Sequence, residues 1–285
     1  MPARFSLLAA AIALTGCTTL EAQLAPAAEP LRRWGRHDAS SKQTVDHRAW
    51  GALLARYRVA GADGIARIRY AAVTPADRAA LAQYVALLEA ADVDALAKPE
   101  QFAFWVNLYN AATLRLVLER YPVKSIRDIS LGGGLFERGP WGAKLVTVKG
   151  ERLSLDDIEH RILRPLWRDP RIHYVVNCAS LGCPDVPPVP LTGANAESVL
   201  DASARVYINH PRGAMITRGR LEVSSLYRWY REDFGGDEAG VIAHVKRYAA
   251  PAMAAQLQSV SAIDRYRYDW ALNDALARAG PAPAP

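Results

Sequence analysis

One long stretch without a polar face constrains the fold of this chain more than any other feature. Residues 101–121 are apolar nearly all round, and the run ends before Pro122, which cannot continue a helix. This length corresponds to about five helical turns. Because a helix without a polar face must be covered on every side, we predict that this segment is the central buried helix of the domain.

The segments on either side mix short strands with helices and show no repeat, which indicates an α+β fold. We predict a single domain over residues 41–278, in which the central helix packs on a small mixed sheet. Two hairpins are expected, around Lys149-Gly150 and around Arg218-Gly219. Residues 18–40 are rich in alanine, proline and charge and are predicted to form a tether, and residues 279–285 a disordered tail.

The first 17 residues have the pattern of a targeting segment. Arg4 provides a positive start, and Phe5–Leu14 is apolar but too short to span a bilayer. The run Leu14-Thr15-Gly16-Cys17 resembles a bacterial lipobox, in which the cysteine is lipidated and becomes the new N-terminus. We therefore expect a signal peptide over residues 1–17 and a lipid on Cys17 that holds the protein in a membrane. Thr18 in place of aspartate favours the outer membrane, facing the periplasm; an ordinary secretory signal is the alternative.

The charge pattern argues against several classes of partner. The net charge of +6 is spread along the chain, and no basic run alternates with aromatic residues, so nucleic acid is not expected as a partner. Gly132-Gly133-Gly134 lacks the strand-turn-helix setting of a phosphate-binding loop. The sequence therefore predicts no nucleotide and no other cofactor.

A second informative stretch runs from His173 to Pro184. Residues 172–177 alternate in polarity at a period of two, which predicts a buried strand with His173 and Asn177 on one face. A loop of small residues follows and contains Cys178 and Cys183. Polar groups at the end of a buried strand are a common position for a functional site.

A helix preceding this stretch is predicted to bury ionisable side chains. Ser154 and Asp157 match a variant of the capping box, and an apolar stripe follows over residues 155–166. Glu159 projects inside that stripe, and His160 lies at its edge. Since a buried carboxylate needs a partner or stays protonated, Glu159, His160 and Asp156 are candidates for an acid/base group. The alternative is a structural glutamate paired with an arginine or with backbone.

Three asparagines are candidate binding residues. Asn107 and Asn110 lie on the same face of the central helix, and Asn177 precedes the cysteine loop. An unsatisfied buried amide costs about 1–3 kcal/mol, so each needs partners. They either clamp a loop backbone or line the site.

Eight stretches of the sequence, in their order along the chain, resemble the uncharacterised DUF547 domain family. They are Asp46–Trp50, Ala103–Ala111, Tyr121–Ile126, Leu153–His160, Pro170–His173, Cys178–Pro184, Trp229–Phe234 and Tyr268–Trp270. From the first to the last, they are distributed over residues 46–270, which is most of the chain. The resemblance implies a kind of domain and implies no activity, because none is assigned to the family.

The cysteine loop admits several chemical interpretations. Cys178 and Cys183 could form a disulfide in an oxidising compartment, or remain two inert buried thiols. Cys178 could be a nucleophile, served by His160 or His173 with Glu159 or Asn177 orienting the imidazole. Zinc bound by both cysteines and both histidines is chemically suitable, but the spacing matches no compact zinc motif, and no metal is predicted.

Two functions follow from these alternatives. The first is a cell-envelope lipoprotein that performs thiol-dependent hydrolysis or acyl transfer on an envelope peptide or amide. The second is a noncatalytic module that binds or scaffolds an envelope peptide or protein. In both, we expect a polar cleft formed by a shared set of six residues: Asn107, Asn110, Glu159, His160, His173 and Cys178.

The lipobox interpretation predicts the effect of one substitution. Cys17→Ser removes the sulfur that the lipobox predicts to be lipidated and should release the protein from membranes in cell fractionation, whereas Cys178→Ser should leave it attached. Unchanged membrane association of Cys17→Ser, with no acyl mass on the wild-type N-terminal peptide, would contradict the prediction.

Overall fold

The structure is a computed structural model that describes residues 30–131 and 139–275. Within these ranges the chain forms eight α-helices, which are α1 Arg48–Tyr57, α2 Pro75–Ala90, α3 Lys98–Arg120, α4 Arg164–Trp167, α5 Ala196–Ile208, α6 Leu226–Trp229, α7 Glu238–Tyr248 and α8 Pro251–Gln256. The seven strands are β1 Arg58–Ala60, β2 Ala66–Ile68, β3 Lys144–Val148, β4 Glu151–Ser154, β5 Ala214–Thr217, β6 Arg220–Ser224 and β7 Arg265–Arg267. The predicted α+β class is confirmed.

Shorter helical segments connect these elements. Single 3₁₀ turns are Arg32–Gly35, Tyr70–Ala72, Val93–Ala95, Ile126–Asp128, Pro170–Tyr174, Arg231–Phe234 and Leu257–Ser259, and a π-helical turn covers Asp157–Leu163. None of the described helices is both long enough and apolar enough to cross a membrane.

Helix α3 is the predicted central helix. It is buried from Glu100 to Leu114 without interruption, and aromatic rings pack on it, with the Trp34 and Trp105 centroids 5.1 Å apart. It begins earlier than predicted because Pro99 occupies the first turn, where the missing N–H costs nothing. Its main neighbours are α2, α5 and the π-helical turn rather than the sheet.

The strands form three small sheets. The β1–β2 and β3–β4 pairs are antiparallel, and in the third sheet β6 pairs antiparallel with β5 and parallel with β7. Both predicted hairpins are present, and both turns have positive φ at the two central residues, with Lys149 at 48° and Gly150 at 78° in the first. This is the turn geometry that matches strand twist, and glycine adopts it at little cost.

Two hydrophobic clusters make up the core of the described chain. The larger surrounds α3, and the smaller contains the aromatic side chains of α5, α6 and α7 together with β6. The turn Pro170–Tyr174 lies between them: Ile172 and Val175 belong to the larger cluster and Tyr174 to the smaller. His173 is therefore held at the junction of the two clusters.

The predicted strand over residues 172–177 is wrong. Asp169 caps a 3₁₀ turn whose first residue is Pro170, and Val175 N–H donates to the Ile172 carbonyl. Ile172 and Val175 thus reach the same cluster at a spacing of three, which is the period of a 3₁₀ helix. Two alternating positions in so short a segment also fit a period of two, which explains the error.

The predicted boundary between tether and domain is also too late. Trp34 is 1% exposed, and Leu31 N–H donates to the Arg161 carbonyl, so residues 30–40 belong to the folded domain. The alanine and proline content of this stretch suggested a tether, although the buried Trp34 fixes it to the domain. The predicted signal peptide with Cys17, the rest of the tether and the tail over 279–285 lie outside the described residues.

Candidate functional site

A π-helical turn carries the buried acidic and imidazole side chains. The capping box is confirmed: Ser154 N–H donates to Asp157 Oδ2 at 2.9 Å, and Asp157 N–H donates to Ser154 Oγ at 3.1 Å. Because hydrogen bonds that span five residues rotate the chain less per residue than an α-helix, the adjacent Glu159 and His160 both face the interior. They are 7% and 3% exposed. Such turns are frequent at functional sites.

His173 lies between two carboxylates. Its Nε2 is 2.7 Å from Asp233 Oδ2, and its Nδ1 is 3.6 Å from Glu159 Oε1. The imidazole stacks on the Tyr230 ring, with centroids 4.4 Å apart. Burial lowers the pKa of His173, but Asp233 and Glu159 outweigh it, so the pKa is raised and the imidazolium form is favoured.

Glu159 stays ionised although it is buried. Burial raises its pKa, but the imidazoles of His160 and His173 and the Tyr109 hydroxyl lower it to about 2. Burial lowers the pKa of His160 to about 4, although the nearby Glu159 opposes the shift. His160 is therefore neutral at neutral pH, and the raised pKa of His173 favours a protonated imidazole beside Glu159.

Arg164 links this group to the carboxylate on the other side. Its Nε donates to Asp233 Oδ2 at 2.6 Å, and its guanidinium lies 4.7 Å above the Tyr230 ring centroid. Arg164 Nη1 is 3.2 Å from His160 Nδ1. Since the guanidinium can only donate, His160 Nδ1 accepts and its Nε2 carries the proton, facing Asp156 Oδ1 at 3.6 Å.

The thiol of Cys178 lies among hydroxyl groups. Its Sγ is 3.3 Å from Ser180 Oγ and 3.2 Å from Tyr268 Oη, and those two oxygens are 3.0 Å apart. The Cys178 N–H donates to Cys183 Sγ at 3.0 Å. Cys178 is partly exposed, whereas Cys183 is buried.

The two thiols differ in acidity. A hydrogen bond from Cys183 lowers the pKa of Cys178; burial opposes this, and Ser180 and Tyr268 add to the lowering. Burial, with the neighbouring Cys178, raises the pKa of Cys183 well above its usual range. Cys178 is therefore the thiol that ionises first.

All three candidate asparagines hold loop backbone. Asn110 donates to the Val175 carbonyl at 2.8 Å and accepts from Asn177 N–H at 2.9 Å. Asn107 donates to the Leu191 carbonyl and accepts from its N–H. Asn177 donates to the Pro184 carbonyl at 2.6 Å and accepts from the Ala179 N–H at 2.9 Å, which spans the cysteine loop. The three asparagines therefore position the loops around the site, and their side-chain amides are occupied by hydrogen bonds to the backbone.

The structure brings the candidate catalytic residues into one region without joining them as a nucleophile and base. Glu159, His160 and His173 form one network, but within the described residues no histidine hydrogen-bonds to Cys178 Sγ. The Glu159 charge nevertheless acts on the thiol, because it raises the pKa of Cys178. In this structure the predicted pairing of Cys178 with His160 or His173 is not formed as a hydrogen bond.

The other interpretations of the cysteine loop can also be compared with the geometry. Cys178 and Cys183 are free thiols, so the predicted disulfide is not formed in this structure. The described residues contain no group of three or more cysteine, histidine or acidic side chains arranged to hold a metal ion.

Sequence reasoning missed five residues that contact the predicted site residues. Asp233 and Tyr230 complete the His173 network, Arg164 joins it to His160, and Ser180 and Tyr268 surround the thiol. A signal existed for all of them except Arg164, since the others lie in three stretches that carry the resemblance: Cys178–Pro184, Trp229–Phe234 and Tyr268–Trp270.

The burial of Glu159 generates a stability prediction. Glu159→Ala removes one carboxylate beside the buried His173 and should lower the free energy of unfolding by about 3–5 kcal/mol. Glu159→Gln preserves the shape and the hydrogen-bonding capacity and should cost less. Urea unfolding of both variants at pH 7 measures this; a near-wild-type curve for Glu159→Ala would show that the network contributes nothing to stability.

The lowered pKa of His160 generates a pH prediction. Its folded-state pKa of about 4 lies below its unfolded value of about 6.5, so stability should fall between pH 6.5 and pH 4. The loss should be on the order of 3 kcal/mol from this residue. The pKa values of Glu159 and Asp233 are lowered, so these carboxylates lose their contribution to stability only at lower pH. The pKa of His173 is raised, so its contribution to stability is lost as the pH rises. Glutamine does not titrate, so the His160→Gln variant should lose less stability across this pH range. Part of the loss should remain in the variant because burial also lowers the pKa of His244 to about 4. Equal losses in both proteins across this window would refute the assignment.

Comparison with known proteins adds one finding. Residues 93–208 match the family described as "Protein of unknown function, DUF547". No curated protein matches the chain, and no solved structure matches it either. The matched stretch includes α3, the π-helical turn, His173 and both cysteines, while Asp233 and Tyr268 lie beyond it. Over residues 93–208 the chain is therefore similar to the DUF547 family.

Proposed function

We propose that this protein is a cell-envelope lipoprotein in which Cys178 performs thiol-dependent hydrolysis or acyl transfer on an envelope peptide or amide. The observation that supports it is the setting of the Cys178 thiol. The residue is partly exposed, the pKa of its thiol is lowered, and the Ser180 and Tyr268 hydroxyls lie 3.3 and 3.2 Å from the sulfur. A thiolate stabilised by such donors is a competent nucleophile.

The proposed reaction has two steps. Cys178 Sγ attacks the carbonyl carbon of the substrate; a C–S bond forms, the C–N bond breaks, and the thiol proton passes to the leaving amine. The hydrogen-bonded hydroxyls of Ser180 and Tyr268 provide the path for that proton. Water, or an acceptor amine, then attacks the thioester carbonyl, releases the acyl group and returns a proton to Cys178.

The surrounding structure holds the nucleophile in place. The segment before Cys178 is fixed at His173 by Asp233 and at Val175 and Asn177 by Asn110. Rigid support of this kind is what a catalytic group needs, because small displacements of a reacting atom are costly. In this proposal the histidines are positioning residues.

The location forms part of the proposal. The lipobox at Cys17 supports a lipid anchor, with the domain on the periplasmic side of the outer membrane. The substrate or partner is then a peptide or protein of the envelope.

One observation favours a noncatalytic binding or scaffolding module instead. Both ring nitrogens of His173 face carboxylates, and His160 Nδ1 faces Arg164, so neither imidazole is placed to take a proton from Cys178. A thiol without a base reacts slowly with an amide. The two functions differ in whether Cys178 forms a covalent acyl intermediate.

A reactivity measurement distinguishes them. Iodoacetamide should label Cys178 in unreduced protein near pH 7 faster than a model thiol of pKa about 8.5, and p-nitrophenyl acetate should leave an acetyl group on the same peptide. Tyr268→Phe should slow both reactions because it removes a donor to the sulfur. Tyr266→Phe, whose hydroxyl contacts Glu238 instead, is the matched control. Labelling only after reduction, or no acetyl adduct, would reject the enzyme and favour the binding module.

A further inference from the structure

A cavity of about 430 Å³ opens beside Asp233, away from the thiol. It lies between the first described residues, the end of helix α4 and the turn Arg231–Phe234. Its charged lining residues are Arg32, Arg164, Arg168, Asp169, Glu232 and Asp233. The volume is within the range of small-ligand pockets, about 300–1,000 Å³.

Half of these charges are already neutralised by the protein. Arg164 donates to Asp233 at 2.6 Å, and His173 contacts the same carboxylate oxygen at 2.7 Å. Asp169 is paired with Arg171, with the closest nitrogen and oxygen 2.6 Å apart. Arg164, Asp169 and Asp233 therefore form the wall of the cavity and have little charge to offer a ligand.

The other three charges have no partner within the described chain. Arg32, Arg168 and Glu232 are exposed, and none of them makes a side-chain hydrogen bond or ion pair to residues 30–131 or 139–275. The cavity thus presents two free guanidinium groups and one free carboxylate. Guanidinium groups bind carboxylates in a planar, bidentate manner, and a carboxylate binds ammonium.

The backbone at Arg168 supports a role for its side chain. Arg168 ends helix α4 in the left-handed conformation, with φ 54° and ψ 34°, where its N–H still bonds to the Arg164 carbonyl. Glycine adopts this position at lower cost. An arginine held there directs a long cation from the helix end to the cavity, which the cap alone does not require.

We propose that this cavity binds a small zwitterion, an amino acid or a short peptide, with its carboxylate on Arg32 and Arg168 and its ammonium on Glu232. A ligand that carries both a positive and a negative charge matches this cavity, because two guanidinium groups and one carboxylate are unpaired at the same opening. Cys178 does not line the cavity, so this site goes beyond the proposed thiol chemistry and does not depend on it.

Calorimetric titration of the full chain with L-alanyl-L-alanine tests the proposal, because alanine adds no further charge. The dipeptide should bind, and either N-acetylation or C-terminal amidation of it should weaken binding about tenfold or more by removing one charged contact. Inorganic phosphate should bind more weakly than the dipeptide. Phosphate binding as tight as that of the dipeptide, or no dipeptide binding at millimolar concentration, would overturn the proposal.

Substitutions test which side chains of the cavity bind the dipeptide. Arg168→Gln and Arg32→Gln should each weaken dipeptide binding about tenfold, and Glu232→Gln should weaken the free dipeptide but not its N-acetyl form. Arg36→Gln makes the same charge change at an exposed arginine outside the cavity and should bind as the wild type does. Cys178→Ser should also bind normally. Circular dichroism confirms that each variant is folded, and equal binding by Arg168→Gln and Arg36→Gln would refute the site.

Discussion

The buried imidazolium of His173 connects three parts of the chain that are far apart in sequence. Glu159 comes from the π-helical turn, Asp233 from the turn after α6, and Tyr230 covers the ring face. His173 is 2% exposed, so its charge has little access to water. Two carboxylates compensate a desolvation cost that one alone would offset less well. The junction of the two hydrophobic clusters depends on this arrangement, because an unpaired charge there would disrupt both.

Support for the thiol comes from a different source. The central helix contributes amides rather than charges, and Asn110 fixes the backbone on both sides of Val176. Amides suit this role, since one side chain can both donate to and accept from a loop backbone. The segment before Cys178 is therefore held at both ends. Ion pairs fix it at His173, and hydrogen bonds from Asn110 of α3 fix it at Val175 and Asn177.

The thiol environment has consequences for the chemistry. Hydroxyl donors lower the pKa of Cys178 by stabilising the thiolate, but unlike an imidazole they do not store its proton. Reactivity toward good acyl donors is thus favoured over cleavage of unactivated amides. Burial raises the pKa of Cys183, so this thiol stays protonated; its sulfur accepts from the Cys178 N–H and donates to the Val176 carbonyl at 3.7 Å.

Local patterns determined much of this protein. The central helix, both hairpins and the capping box at Ser154 depend on composition and near neighbours, and each follows from the sequence. The burial of Glu159 follows from its place in an apolar stripe. The strand expected at residues 172–177 failed because two spacings fit so few residues, and only the packing of Ile172 and Val175 on one cluster distinguishes them.

Only the tertiary structure decided which side chains meet. The partner of His173 is Asp233, 60 residues later, and the neighbour of Cys178 is Tyr268, 90 residues later. No periodic pattern encodes contacts at such separations, because they depend on how the two hydrophobic clusters pack against each other. The sequence alone placed a thiol, two histidines and a glutamate in one domain, and the fold paired the histidines with carboxylates and an arginine and the thiol with hydroxyls.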